Sequence, residues 1–256
     1  MARKGILSAF GDSIVKGVVP EQETAASYRL LEQSFLDLCG ARFDMPTANY
    51  GRFGSTVTVG QKILDRHLDA LGSSSITLLE FGGNDCDYDW GAIGADPEAQ
   101  HLPHTGVEQF RLIYKDIIDK VRFAGSEPVL LTLPPLDPDR YYRHVCRDMD
   151  ERGHANVLRW LGGNTAFIFN WHEIYNLEVL KIAAALRVRV ADITGAFLAR
   201  RSYSDLLCAD GIHPNEQGHR LIADTLCTLL KHILPNPASG ACVGSVFREP
   251  ALATAR

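Results

Sequence analysis

The run Ile76-Thr77-Leu78-Leu79-Glu80-Phe81 constrains this chain more than any other stretch. It is near-continuously apolar rather than alternating, as a central strand covered on both faces must be. It stops in Gly82-Gly83-Asn84-Asp85, a turn rich in glycine and polar groups. Further strands are expected over residues 4–10, 42–48, 128–133 and 187–193. Pro46 marks the second as an edge strand or a short one, and Pro134-Pro135 stops the fourth. Between them the spacing predicts helices over 27–39, 57–71, 106–123 and 172–186, with a last helix after Asn215. Ser27 is the expected cap of the first and Gly40 its end. Strand and helix alternate with no hairpin signal. That predicts a parallel sheet with helices on both faces, a three-layer α/β domain.

The chain of 256 residues suits one such domain, expected over residues 1–234, with a tail from 235 to 256. Residues 136–171 read as an elaborated connection with one short helix near 156–161, not as a second domain. A net charge of -5 gives no electrostatic case for nucleic acid or an anionic membrane. No apolar run approaches the roughly 18–20 residues a membrane span needs. The N-terminus lacks the apolar region of a signal peptide, and the six cysteines are scattered without a CxxC pair. A cytoplasmic protein with reduced, packing thiols is expected.

In a parallel sheet all strand carboxyl ends lie on one edge, where ligands bind. After the first strand come Gly11-Asp12-Ser13; after the second, Asn49, Gly51 and Gly54; after the third, Gly82-Gly83-Asn84-Asp85. Ahead of the last helix stands Asp210-Gly211-Ile212-His213-Pro214-Asn215. These parts compose acyl transfer. Ser13 is a nucleophile once a base takes its proton, and His213 is suited to that task. Asp210, three residues before it, can hold the imidazole. The backbone N–H groups of Ser13 and Gly54 and the Asn84 amide are suitable oxyanion donors. Asp12 reads as a turn-holding carboxylate. His67, His172 and His219 read as surface or packing residues. Tyr141, Tyr142 and Trp90 read as loop anchors, although aromatic loop residues also lean toward a carbohydrate ester.

The four blocks, in this order, resemble those of the SGNH (GDSL-type) hydrolases, over residues 5 to about 233. The resemblance implies a flavodoxin-like α/β/α fold with strand order 2-1-3-4-5. It implies Ser13 as nucleophile, His213 as base and Asp210 as its partner, with Gly54 and Asn84 completing the oxyanion hole. Gly51 competes for the second block, and the Gly-x-Thr context favours Gly54. No GxSxG, P-loop, GxGxxG or HExxH pattern occurs, and no cofactor or metal is expected. The expected partner is a small-molecule, carbohydrate or lipid ester. An acyltransferase sharing the acyl-enzyme, or an inactive binding protein on the same scaffold, are the alternative readings. The segments 86–105 and 136–171 are long for this fold and are expected to wall the site and set substrate choice.

Overall fold

The computed structural model describes residues 5–21, 27–72 and 74–234. In chain order it forms β1 (Ile6–Gly11), α1 (Ser13–Lys16), β2 (Val18–Pro20), β3 (Tyr28–Leu30), α2 (Phe35–Phe43) and β4 (Thr47–Asn49). Then come α3 (Val57–Leu71), β5 (Ser74–Glu80), α4 (Trp90–Ala95), α5 (Val107–Phe123) and β6 (Glu127–Leu131). The remainder is α6 (Pro138–Cys146), α7 (Glu151–Trp160), α8 (Ala166–Leu186), β7 (Arg189–Ala191), α9 (Ile193–Leu198) and α10 (Glu216–Leu230).

Five strands form a parallel sheet in the order β4-β1-β5-β6-β7, which is the expected 2-1-3-4-5. Alternate residues of each strand serve opposite faces. Leu7, Ala9, Ile76 and Leu78 pack with Phe35 and Leu36 of α2 and Ile222 and Leu226 of α10. Phe10, Leu79, Phe81 and Leu130 pack with Leu64 of α3, Tyr114 of α5 and Val179 of α8. Each leucine, isoleucine, valine or phenylalanine among them, fully withdrawn from water, stabilises the fold by about 1.5–3 kcal/mol. The result is a three-layer sandwich with β5 covered on both sides.

Three expectations are corrected. The chain does contain a hairpin: β2 and β3 pair antiparallel, Val19 opposite Arg29. The first large helix therefore starts later, at Phe35 rather than near Ser27. Ser34 caps it, its Oγ accepting from Asp37 N–H while the Asp37 carboxylate accepts from Ser34 N–H. That reciprocal pair overrides the apolar spacing upstream. Gly40 lies inside α2, and the chain leaves through Asp44 in the left-handed region. Residues 136–171 are also more helical than expected, holding α6, α7 and the first turns of α8. The expected tail from residue 235 lies outside the described residues.

Those added helices share an apolar cluster of their own. Tyr88, Trp90 and Ile93 from the segment after β5 pack against Leu136, Tyr141, Val157 and Ile168. Asn156 Nδ2 donates to Gly94 O at 2.8 Å and Trp171 Nε1 to Cys86 O at 2.9 Å. The two long segments thus form one cap over part of the sheet's carboxyl edge. No helix among the described residues is long and apolar enough to cross a membrane.

Candidate active site

The strand register brings the sequence blocks together. Ala9 pairs with Asn49 and Gly11 with Glu80, so the turns after β1, β4 and β5 emerge side by side. Gly11 is required by this closeness. A Cβ there would sit 2.3 Å from Val15 Cγ2 and 2.6 Å from the Glu80 carbonyl oxygen. Asp12 then caps α1, its Oδ1 accepting from Ile14 N–H at 2.8 Å, and Ser13 is the first residue of that turn. Asn49 braces the same turn from below, Nδ2 donating to Val15 O at 2.8 Å.

Ser13 Oγ lies 2.8 Å from His213 Nε2, and His213 Nδ1 lies 2.6 Å from Asp210 Oδ2. All three side chains are buried. The other Asp210 oxygen accepts the backbone N–H groups of Ile212 and His213 at 3.2 and 3.1 Å. Burial raises the Asp210 carboxyl, but His213 and these two amides outweigh it and hold the group below its ordinary range. The loop is closed by Cys208 N–H donating to His213 O at 2.8 Å. Gly211 turns it with φ 77°, and a Cβ there would meet Arg140 Cβ at 2.7 Å and Asp137 O at 2.8 Å. The loop carrying His213 is thus wedged against the start of α6.

Two side chains that the sequence reading passed over flank the imidazole. The Phe53 ring stacks on His213 at 6.2 Å and 16°, and Tyr28 of β3 meets it edge-on at 5.6 Å. A hairpin at this place was the only signal that could have found Tyr28, and its pairing is not local.

Asn84 Nδ2 donates one hydrogen to Asp12 Oδ2 at 2.8 Å, leaving its second free to face a ligand. The backbone N–H groups of Ser13 and Gly54 have no acceptor among the described residues. Gly54 sits on the exposed turn next to Phe53, with φ 69° and open space where a Cβ would be. Gly51 instead packs against the end of α1, a Cβ there falling 2.5 Å from Lys16 N. Asp85 faces away from the reacting atoms. It is buried, accepts Val57 N–H at 3.0 Å and so caps α3, and burial pushes its carboxyl up to about 7. Substituting Asn84→Ala removes the only side-chain donor of this group. Initial rates on an activated ester are expected to give a kcat lower by roughly 10²–10³.

A pocket opens over Ser13, Asn84 and His213. Tyr88, Trp90, Leu136, Phe167, Ile168 and Trp171 form its apolar walls. Trp90 and Tyr141 are therefore both cap anchors and pocket lining. Of the surface-or-packing alternatives, His172 and His219 take the packed one, in different places. His172 is buried and lines the pocket, with Nδ1 3.3 Å from Glu173 Oε1. His219 is buried between α2 and α10, and burial lowers it to about 4.

A serine, histidine and aspartate joined in series at the edge of a parallel sheet is the arrangement of a serine hydrolase. Comparison with known proteins is more particular. The chain belongs to the GDSL-like lipase/acylhydrolase family, whose family model matches residues 9–221, and is a hydrolase of ester bonds. Among solved structures it is similar to a lipase/acylhydrolase from Enterococcus faecalis, at 18% identity and TM-score 0.61, covering 90% of this chain and 97% of that one. It is also similar to an α/β hydrolase, LAE5, from the metagenome of Lake Arreo, at 18% identity, TM-score 0.61 and coverages of 92% and 99%. A catalytic mutant of an acetylxylan esterase from Geobacillus stearothermophilus matches at 16% identity, TM-score 0.60 and coverages of 89% and 94%. At these identities the likeness speaks for the fold. No curated protein matches the chain.

Proposed function

We propose that the protein cleaves a carboxylic ester through an acyl-enzyme on Ser13. The observation that carries this is the unbroken series Ser13–His213–Asp210, at 2.8 and 2.6 Å. Ser13 Oγ attacks the ester carbon while its proton passes to His213 Nε2. The oxyanion is held by the N–H groups of Ser13 and Gly54 and by the Asn84 amide. His213 then returns the proton to the departing alcohol, leaving the acyl group on Ser13. Water gives its proton to His213 and attacks the acyl-enzyme; His213 then returns that proton to Ser13 Oγ as the acid departs, which restores the free enzyme. Every step uses side chains and amides of this chain.

The two sides of the site support different parts of the substrate. His213 must reach the leaving oxygen, so the alcohol belongs on the side of Phe53 and Tyr28. The acyl group then enters the pocket walled by Trp90, Leu136 and Trp171. Apolar walls favour a hydrocarbon acyl chain over acetyl, and the cap formed by segments 86–105 and 136–171 sets its length. A series of esters of one alcohol, from acetyl to octanoyl, tests this. Each buried methylene stabilises by about 0.8 kcal/mol, so kcat/KM should rise about fourfold per added carbon until the pocket is filled. A maximum at acetyl would overturn the acyl assignment. Failure of a fluorophosphonate to label the folded protein would overturn the esterase reading itself.

A further inference from the structure

Glu80 closes β5 and pairs with Gly11 across the sheet. Its side chain is buried, and neither carboxyl oxygen has a hydrogen-bond partner among the described residues. A carboxylate in that state has lost water and gained little in return. The group it faces is another carboxyl, Asp12, equally buried. Both Asp12 oxygens are taken by donors, Oδ1 by Ile14 N–H and Oδ2 by Asn84 Nδ2–H, each at 2.8 Å.

Two buried carboxyls in contact cannot both be ionised. The donors decide which keeps the charge. Asp12 accepts two N–H groups at 2.8 Å, whereas Glu80 draws only a weak pull from the Asp12 backbone N–H, so the proton belongs on Glu80 and its O–H donates to Asp12. Burial and the charge on Asp12 push Glu80 well above the usual carboxylate range. Burial raises Asp12 as well, against the pull of Ile14, Glu80, His213 and Asn84. The other titratable groups acting on the pair give it no second cation. Asp85 adds negative charge, and Tyr114 already donates its O–H to Leu79 O.

We propose that Glu80 is a positioning residue, whose protonated carboxyl locks Asp12 and, through it, the Asn84 amide and the turn bearing Ser13. Its kinetic consequence rests on the esterase reading; the proton on Glu80 does not. When Glu80 ionises at alkaline pH, a second negative charge meets Asp12 with no donor between them. Asn84 and the α1 turn lose their fixed anchor, and kcat falls. The apolar walls of the pocket come from other segments than this brace, so KM moves less.

The test has a spectroscopic arm and a kinetic arm. Infrared difference spectra between wild type and Glu80→Gln, at neutral pH, are expected to show a carboxylic-acid C=O band lost with the substitution. Glu80→Leu, which fills the space without a donor, is expected to lower kcat about tenfold or more with KM within about threefold. Glu80→Gln, whose amide donates to Asp12 at any pH, is expected to restore turnover at neutral pH and to remove the alkaline limb of the kcat profile. Absence of the acid band, or a Glu80→Gln profile that superposes on wild type, overturns the proposal. Where Glu80→Leu does not fold, the band and the Glu80→Gln profile still decide. A wild-type protein that shows the band but turns over no ester sinks the esterase reading and leaves the proton on Glu80 in place.

Discussion

Ser13→Ala is expected to abolish turnover, with kcat lower on the order of 10⁶-fold, while the fold is retained. The substitution deletes one oxygen whose only hydrogen-bond partner among the described residues is His213 Nε2. The elements that position residue 13 do not depend on that oxygen. Gly11 sets the approach of β1 to β5, Asp12 caps α1 through Ile14, and Asn49 holds Val15 O. The thermal midpoint should therefore stay close to wild type. What disappears is the nucleophile, and with it the covalent intermediate. Intact mass after fluorophosphonate treatment measures this directly: wild type gains one adduct and the variant gains none. An alanine variant that still turns over ester within ~100-fold of wild type would mean that another group accepts the acyl chain.

The second large effect is expected at Asp210, where Asn should cost about 10⁴ in kcat with little change in KM. The reason lies in what each carboxylate oxygen touches. Oδ1 is fixed by two backbone donors, Ile212 N–H and His213 N–H. An asparagine must keep its carbonyl there, because an NH₂ would face two N–H groups. Its NH₂ then replaces Oδ2 and donates to His213 Nδ1. The imidazole is forced into the tautomer with hydrogen on Nε2, and that nitrogen can no longer accept the Ser13 proton. Steady-state kinetics test the size of the loss, and nitrogen-15 spectra of the imidazole test the tautomer. A variant with the wild-type tautomer and the same loss of rate would assign Asp210 a purely electrostatic part.

Much of this was legible beforehand, for reasons that can be named. The strand 76–81 announced itself because both its faces are covered, so nearly every position is apolar. Asn215 was readable as the cap of α10 because capping is local: its Oδ1 accepts from Gln217 and Gly218 N–H. Ser13, Asn84, Asp210 and His213 could be grouped because parallel strands put their carboxyl ends on one edge. The β2–β3 hairpin was hidden for the opposite reason. Leu30, Leu31, Ser34, Phe35 and Leu38 satisfy helical spacing, and no Asn-Gly or Asp-Gly turn marks the hairpin. Glu80 was hidden inside an otherwise apolar strand. Nothing local shows that its side chain meets Asp12, since that contact depends on the register between β1 and β5. Phe53 and Tyr28 were missed because aromatic contact with His213 is made between three segments far apart in the chain, the turn after β4, strand β3 and the loop before α10.

The wedge between Gly211 and α6 is matched in the other half of the cap. Segment 86–105 leans on the turn that carries the oxyanion amide: His104 Nδ1 lies 3.0 Å from Asn84 O, and Thr105 N–H donates to Asp85 O at 3.0 Å. Segment 136–171 leans on the backbone of the loop that carries the base: Asp137 N–H donates to Gly211 O at 2.8 Å, and Arg140 Nη1 to Ser204 O at 2.8 Å. A redesign of that half, or a lineage drifting there, tunes the acyl pocket and the reach of His213 with the same substitutions. New specificities drawn from either segment should therefore carry a change in rate, through the placement of Asn84 for the first and of His213 for the second.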